Sequence, residues 1–258
     1  GIDDVLTTTS DLGISTLTER SRYGLSLGLG VGEVKLLEHT AGFGVFANGG
    51  NRHETRTITK VIDNKGKTLY EYKSDEDKGE QVLDPQIAYE MQSIMSDNSA
   101  RALVFGTRSA LYFPDRPVAA KTGTTSDFKD AWTVGYTPSL AVGVWTGNND
   151  NRAMSRGADG SIIAAPIFHE FMAKMMEGQP VEQFNPPAGI QTITVEKYSN
   201  KLPSEYSKET TTDIFASWQV PSEKDDVNVA VKVCRSNGLV APDNAPGELT
   251  ETRINSNV

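Results

Sequence analysis

Cysteine is almost missing from this sequence: Cys234 is the single one in 258 residues. One thiol closes no internal disulfide and builds no zinc site. Its neighbours Val229, Val231 and Val233 alternate as in a strand, which makes it a half-buried structural side chain. Histidine is nearly as scarce. His39, His53 and His169 share no ligand spacing, so structural or surface roles are expected of each. Positive charge is short too. Lys and Arg number 25 against 34 Asp and Glu, leaving a formal charge of −9, and a nucleic-acid partner needs the opposite footprint. No apolar run approaches the ~18 residues that cross a bilayer, and no signal-peptide pattern opens the chain.

What the chain does have is concentrated around Pro117-Val118-Ala119-Ala120-Lys121-Thr122-Gly123-Thr124-Thr125-Ser126-Asp127. A short apolar run leads straight into a lysine, hydroxyls and a glycine. Two strand-like runs follow, residues 131–136 and 140–146, and Thr137-Pro138-Ser139 between them reads as a hairpin turn. Lys-Thr-Gly therefore lies at the end of one strand, beside a hairpin. The lysine ammonium is a positive charge aimed into a cleft. Gly123 lets a substrate backbone come close to the strand edge. The Thr122 and Thr124 hydroxyls are small donors able to hold a carboxylate, and a backbone N–H near Thr124 can serve a developing oxyanion.

The ordered blocks Lys121-Thr122-Gly123-Thr124-Thr125, Asp130-Ala131-Trp132, Gly135-Tyr136-Thr137-Pro138 and Val144-Trp145-Thr146-Gly147 resemble the transpeptidase domain of class A penicillin-binding proteins, bifunctional peptidoglycan synthases. Residues 27–34 and Phe46-Ala47-Asn48-Gly49-Gly50 are further blocks of this kind. The resemblance covers residues 1–178 and, more loosely, the rest. It implies an α/β (α+β) fold of the penicillin-binding-protein/β-lactamase type, an antiparallel sheet flanked by helices on both faces. It also implies a serine-type D-Ala-D-Ala transpeptidase. A serine attacks the penultimate D-Ala carbonyl of a stem peptide, terminal D-Ala leaves, and the amine of a second stem takes the acyl group. Lys121, Thr122 and Gly123 then form the catalytic strand. Thr122, Thr124 and Thr125 bind the carboxylate of the substrate or of a β-lactam, and the Thr124 N–H completes the oxyanion hole. No metal or organic cofactor is implied.

Enzymes of this type carry Ser-x-x-Lys, Ser-x-Asn and Lys-Thr-Gly in that order. Here Ser126-Asp127-Phe128-Lys129 comes after Lys-Thr-Gly, in the loop between two strands, and reads as a solvated connection. Ser96-Asp97-Asn98 ends 23 residues before Lys121, far closer than the family spacing, and reads as a helix stop. The expectation is that the nucleophile and the second motif lie upstream of residue 1. This chain would be the C-terminal part of a larger enzyme, inactive alone, with an apolar face exposed where upstream helices belong.

Elsewhere the sequence predicts structure more than chemistry. Residues 1–30 read as short polar helical turns and a Gly-rich link. Gly28-Leu29-Gly30-Val31-Gly32-Glu33 fails as a dinucleotide fingerprint because Glu33 stands where the last glycine is needed, and its glycines read as close-packing positions. Residues 33–47 predict a helix whose stripe is Val34, Leu37, Ala41 and Gly44, with His39 off the stripe. Residues 57–73 predict a hairpin and 74–80 a solvated loop. Asp84-Pro85 starts a helix with Ile87, Met91, Ile94 and Met95 on one face. Residues 98–116 read as a loop. Residues 148–152 lack the glycine and terminal glutamate of a calcium loop. Ala165-Pro166 opens a helix in which Ile167, Phe171 and Met175, with Phe168 and Met172 beside them, cover the sheet and Gly178 ends it.

Two domains are expected, 1–184 as the transpeptidase part and 185–258 as a β-rich appendage. The appendage has strands near 191–195 and 227–233, with disorder over residues 255–258. The resemblance implies peptidoglycan stem peptides, β-lactam antibiotics and the upstream part of the same enzyme as partners. It places the protein at the extracytoplasmic face of the bacterial membrane, anchored upstream. A D,D-carboxypeptidase or β-lactamase of the same fold, or a non-catalytic cell-wall-binding module, remain alternatives.

Overall fold

Asp3 and Asp4 in a first turn favour a helix start, and α1 runs Ile2–Asp11 in the computed structural model, which describes residues 1–256. The chain divides into two compact units, Gly1–Pro187 and Ala188–Val258. In the first, a 3₁₀ turn over Leu25–Leu29 ends at Gly30, whose φ of 87° is left-handed. A side chain at Gly28 or Gly30 would meet nothing, so close packing explains neither, and only Gly30 is required by its left-handed turn. Only Gly32 is crowded, by Leu17.

The next helix, α2 (Leu36–Ala47), starts three residues later than the periodicity predicts, because Lys35 is extended. Glu38 ties that start to the preceding chain: its carboxylate accepts from the backbone N–H and hydroxyl of Ser15 and from Lys35 Nζ, all within 2.8 Å. Four short strands follow, β1 (Asn51–Arg52), β2 (Lys60–Ile62), β3 (Thr68–Glu71) and β4 (Glu80–Gln81). The strands β2 and β3 form the expected hairpin, its turn closed by the Asp63 carboxylate on the N–H groups of Lys65 and Lys67. Asp84 caps α3 (Pro85–Ser96). The stretch read as loop then contains α4 (Asn98–Phe105), because Asp97 ends one helix and caps the next through the N–H groups of Ser99 and Ala100.

The central sheet is β5 (Ala119–Thr124), β6 (Asp130–Tyr136) and β7 (Ala141–Gly147), antiparallel and in that order. Side chains alternate across a strand, so Ala119 and Ala120 point to opposite faces. On one face Ala119, Tyr136 and Met95 pack with Phe43, Phe46 and Met91 of α2 and α3. On the other, Ala120 and Val142 pack with Phe168, Met172 and Met176 of α5 (Ala165–Met176). Helices thus cover both faces, as the sequence predicts.

Three helix faces differ from the expected ones. The helix α5 buries Phe168, Met172 and Met176, while Ile167, Phe171 and Met175 are about half exposed. A π-turn over Gly160–Ala164 sets the rotation of that helix, and periodicity could not choose between two apolar stripes one residue apart. In α3 the buried residues are Ala88, Gln92 and Met95, and Ile94 is exposed. In α2 Leu37 is exposed while Phe43 and His39 meet the sheet. Leu103 and Val104 of α4 are also exposed.

The second unit contains two antiparallel pairs, β8 (Gln191–Glu196) with β9 (Thr210–Phe215) and β10 (Asn228–Cys234) with β11 (Thr250–Ser256). The strands β9 and β11 are additions to the sequence reading, hidden by polar composition. Asn255 and Ser256, expected to be disordered, pair with Val229 and Asn228. Residues 257 and 258 lie outside the described residues.

The candidate active site on the edge of the central sheet

The strand β5 is an edge strand, so one side of its backbone has no strand partner among the described residues. Its first two residues, Ala119 and Ala120, are buried and anchor it. From Lys121 on it emerges: Lys121, Gly123 and Thr124 are exposed and Thr122 is half-buried. Alternation puts Lys121 and Gly123 on the side of α2 and α3, and Thr122 and Thr124 on the side of α5. The register pairs Gly123 with Trp132 and Thr122 with Thr133.

Lys121 Nζ donates to the Thr122 carbonyl oxygen, and no carboxylate among the described residues pairs with it. Its charge is therefore uncompensated. A side chain at Gly123 would meet only Trp132 Cβ at 3.6 Å, an ordinary contact, so packing alone does not require glycine there. Thr124 Oγ1 accepts the N–H of Gly160 at 3.0 Å. Thr125 is used differently. Its hydroxyl donates to Asp130 Oδ2 and accepts the Asp130 N–H, both at 2.8 Å, and Asp130 Oδ1 takes the Trp145 indole N–H. That closes the loop between β5 and β6. The structure brings Lys121, Thr122, Gly123 and Thr124 onto one exposed strand end and engages Thr125 in the turn behind it.

The turn is strained. Asp127 and Phe128 have φ of 62° and 54°, consecutive left-handed residues that are not glycine, each costing on the order of 1–2 kcal/mol. The left-handed backbone breaks the helical turn, so Ser126 and Lys129 do not share a helix face. Ser96-Asp97-Asn98 is likewise taken up structurally. Ser96 Oγ donates to Ser93 O, Asp97 caps α4, and Asn98 Nδ2 donates to Thr107 O. In the 148–152 loop Asn148 Nδ2 donates to Arg152 O and Asp150 pairs with Arg152.

Two residues beside the site, one against β6 and one against β5, escaped the sequence reading. His39 stands edge-on to Phe43 and to Trp132, at 5.1 and 5.9 Å between ring centres, and burial pushes its pKa down. The i, i+4 spacing of His39 and Phe43 was the available signal. Gly160 sits on the strand from the α5 side and carried no signal at all.

The family model of the penicillin binding protein transpeptidase domain matches residues 12–173, nearly two thirds of the chain and the whole of this site. The chain belongs to the penicillin-binding protein transpeptidase family. Among its relatives, Penicillin-binding protein 1A of Clostridium novyi is 32% identical over 221 residues, covering 82% of this chain and 24% of the relative. Penicillin-binding protein 1A of Neisseria flavescens is 35% identical over 177 residues, 67% of this chain and 22% of the relative. The chain thus spans about a quarter of the length of the curated relatives it matches. The crystal structure of Penicillin-Binding Protein 1A from Haemophilus influenzae superposes with a TM-score of 0.69 at 21% identity, over 87% of this chain and 38% of that one. The structure of the penicillin-binding protein PonA1 from Mycobacterium tuberculosis superposes with a TM-score of 0.61 at 26% identity, over 71% and 52%. The architecture is the penicillin-binding α/β fold. Among the described residues no helix is long and apolar enough to cross a membrane.

Proposed function

We propose that β5 is one wall of a D,D-transpeptidase active site that cross-links peptidoglycan stem peptides through an acyl-enzyme, with the nucleophilic serine supplied by another stretch of the longer protein. The observation that carries this reading is the exposed end of an anchored edge strand. It offers one uncompensated ammonium and two threonine hydroxyls, within the region that matches the transpeptidase family.

In this reading Lys121 supplies positive charge and a hydrogen bond beside the serine as its proton leaves. Thr122 and Thr124 donate to the terminal carboxylate of the stem peptide, or to the matching carboxylate of a β-lactam. The Thr124 N–H faces the oxyanion that forms when the serine oxygen adds to the penultimate D-Ala carbonyl. Terminal D-Ala leaves with a proton, and the amine of a second stem displaces the serine. Thr125 acts by closing the turn with Asp130. The half-exposed apolar residues Ile167, Phe171 and Met175, and the exposed Ile94, Leu103 and Val104, fit faces covered by other parts of the domain. Stem peptides lie outside the cytoplasm, so the site works at the extracytoplasmic face of the bacterial membrane.

The test uses the full-length protein and a fluorescent penicillin. Lys121→Ala is expected to slow covalent labelling by about 100-fold or more, the scale seen when one preorganised electrostatic group is removed. Labelling at the normal rate would defeat the assignment. Product analysis then separates transfer from hydrolysis: cross-linked dimers support a transpeptidase, and released D-Ala without dimers a carboxypeptidase.

A further inference from the structure

Gly160 is 36 residues from Thr124 in the sequence and in contact with it in the fold: its N–H donates to Thr124 Oγ1 at 3.0 Å. The peptide is held from behind as well. Thr133, fully buried, donates its hydroxyl to the Gly160 carbonyl oxygen at 3.0 Å. Asp159 accepts from the N–H groups of Ser161 and Ile162 and from the Ser161 hydroxyl, at 2.6–3.0 Å, and so caps the turn from its N-terminal side. The Gly160 N–H is left to point at Thr124.

No other residue fits at 160. A Cβ there would lie 2.4 Å from the Trp132 carbonyl oxygen, 2.6 Å from that of Gly123 and 3.2 Å from the Gly123 nitrogen. These are backbone atoms of the paired strands, so the turn rather than the obstacle would have to move. Any side chain lifts the turn off β5 and breaks the bond to Thr124.

We propose that Gly160 is a positioning residue that holds the Thr124 hydroxyl as a hydrogen-bond donor, and so sets how tightly the site holds a substrate carboxylate. This rests on the function proposed above. A hydroxyl has one proton and two lone pairs. With one lone pair taken by the Gly160 N–H, the proton is turned away from that group, toward the exposed side of the strand. Without that N–H the hydroxyl rotates freely, and part of the time it presents a lone pair to an anion. The effect falls on recognition of the carboxylate and not on the bond-making atoms.

The experiment measures acylation of the full-length protein by a penicillin with a free carboxylate and by its methyl ester. Saturation kinetics separate initial binding from the acylation step. Gly160→Ala is expected to weaken initial binding of the acid by about tenfold, the scale of one hydrogen bond to a charged group, with the acylation step at saturation and the ester little changed. In a Thr124→Val background Gly160→Ala adds no further loss, because the two changes remove one interaction. Equal losses with acid and ester, or additive losses in the double variant, would mean a merely structural role and overturn the proposal. Should Gly160→Ala fail to fold, Thr133→Val keeps the glycine and loosens its carbonyl. It is expected to give a smaller loss confined to the acid, and no loss, or an equal one with the ester, overturns the proposal. Amide exchange in the same protein tests the hydrogen bond itself: the Gly160 N–H should exchange about tenfold faster or more in Thr124→Val. Unchanged exchange sinks the proposal whether or not the protein is acylated. A wild-type protein that no penicillin acylates would sink the transpeptidase reading and this role with it.

Discussion

The interior of the first unit is closed by Tyr136, Phe168 and Met172, all fully buried apolar or aromatic side chains, whereas that of the second surrounds two carboxylates. Glu196 and Asp225 are 1% and 7% exposed, and Asn228, itself buried, donates to both at 3.3 and 2.9 Å. Glu196 also accepts the N–H groups of Tyr198 and Ser199, and Asp225 accepts the Ser207 hydroxyl and the Val227 N–H. The Ser199 N–H leads the causes that lower the pKa of Glu196. Burial pushes Asp225 upward, but its donors, Asn228 first, outweigh that and hold it at about 2. An apolar interior depends on volume and is indifferent to pH. A charged, hydrogen-bonded interior depends on every donor and on the charge itself.

The sharpest way to break that contrast is to open a cavity in the first unit. Phe168 touches the sheet where Gly135 leaves room for its ring, since a Cβ at 135 would come within 2.8 Å of Phe168 Cζ. Phe168→Ala should destabilise the first unit by about 3–5 kcal/mol. Denaturant unfolding followed by amide exchange should show this loss in residues 1–187, equal at pH 7 and pH 4. A cost below about 1 kcal/mol would mean that the α5 face closes over the gap and that volume is not what holds this unit.

Much of this architecture was legible because it is local. Strands β5 to β7 follow from short apolar runs and a Thr-Pro-Ser turn, and Lys121, Thr122 and Thr124 are consecutive or nearly so. What stayed hidden depended on long-range partners. The sequence offered two apolar stripes on α5, and only the π-turn at Gly160–Ala164 chooses Phe168, Met172 and Met176. The helix α4 is only eight residues long, and the Asp97 that caps it reads in the sequence as the stop of α3. Gly160 meets Thr124 only because β6 and β7 return the chain to the same strand. The second unit concealed β9 because Thr210-Thr211-Thr212-Asp213 has no apolar alternation, and its interior because buried carboxylates look like surface residues in a sequence.

That polar interior is the next target. Asn228→Ala removes the donor shared by two buried carboxylates and should cost the second unit about 2 kcal/mol at pH 7. The pH dependence has a definite sign. Asp225 has a folded pKa depressed from 3.8 to about 2, and that of Glu196 is depressed from 4.5. Their contribution is therefore present above the unfolded values and is lost as pH falls through the folded ones. The wild-type second unit should lose stability from about pH 4.5 down to about pH 2, while the Phe168 penalty in the first stays constant. Acid titration followed by segment-resolved exchange checks this. A second unit that is as acid-stable as the first would show that its carboxylates are held by packing and not by their charge.

Glu38 sharpens the comparison from the other side, because it repeats the carboxylate chemistry of the second unit on the surface of the first. Its bond from Lys35 leads the causes, followed by those from Ser15, and together they lower its pKa from 4.5 to about 2. Its side chain is part-buried, 20% exposed, against near-complete burial of Glu196 and Asp225, so water reaches it and the arrangement should matter less than the buried one. Glu38→Gln is expected to cost at most about 1 kcal/mol at neutral pH. The difference from wild type should shrink as pH falls below about 4.5 and vanish only below about pH 2, where the native carboxylate is protonated as well. The same titration that follows Asn228→Ala measures it. A penalty as large as that of Asn228→Ala would mean that the number of donors, and not burial, sets the value of a carboxylate in this protein. A penalty that persists below pH 2 would mean that Glu38 acts by packing against Ser15 and Lys35 and not through its charge.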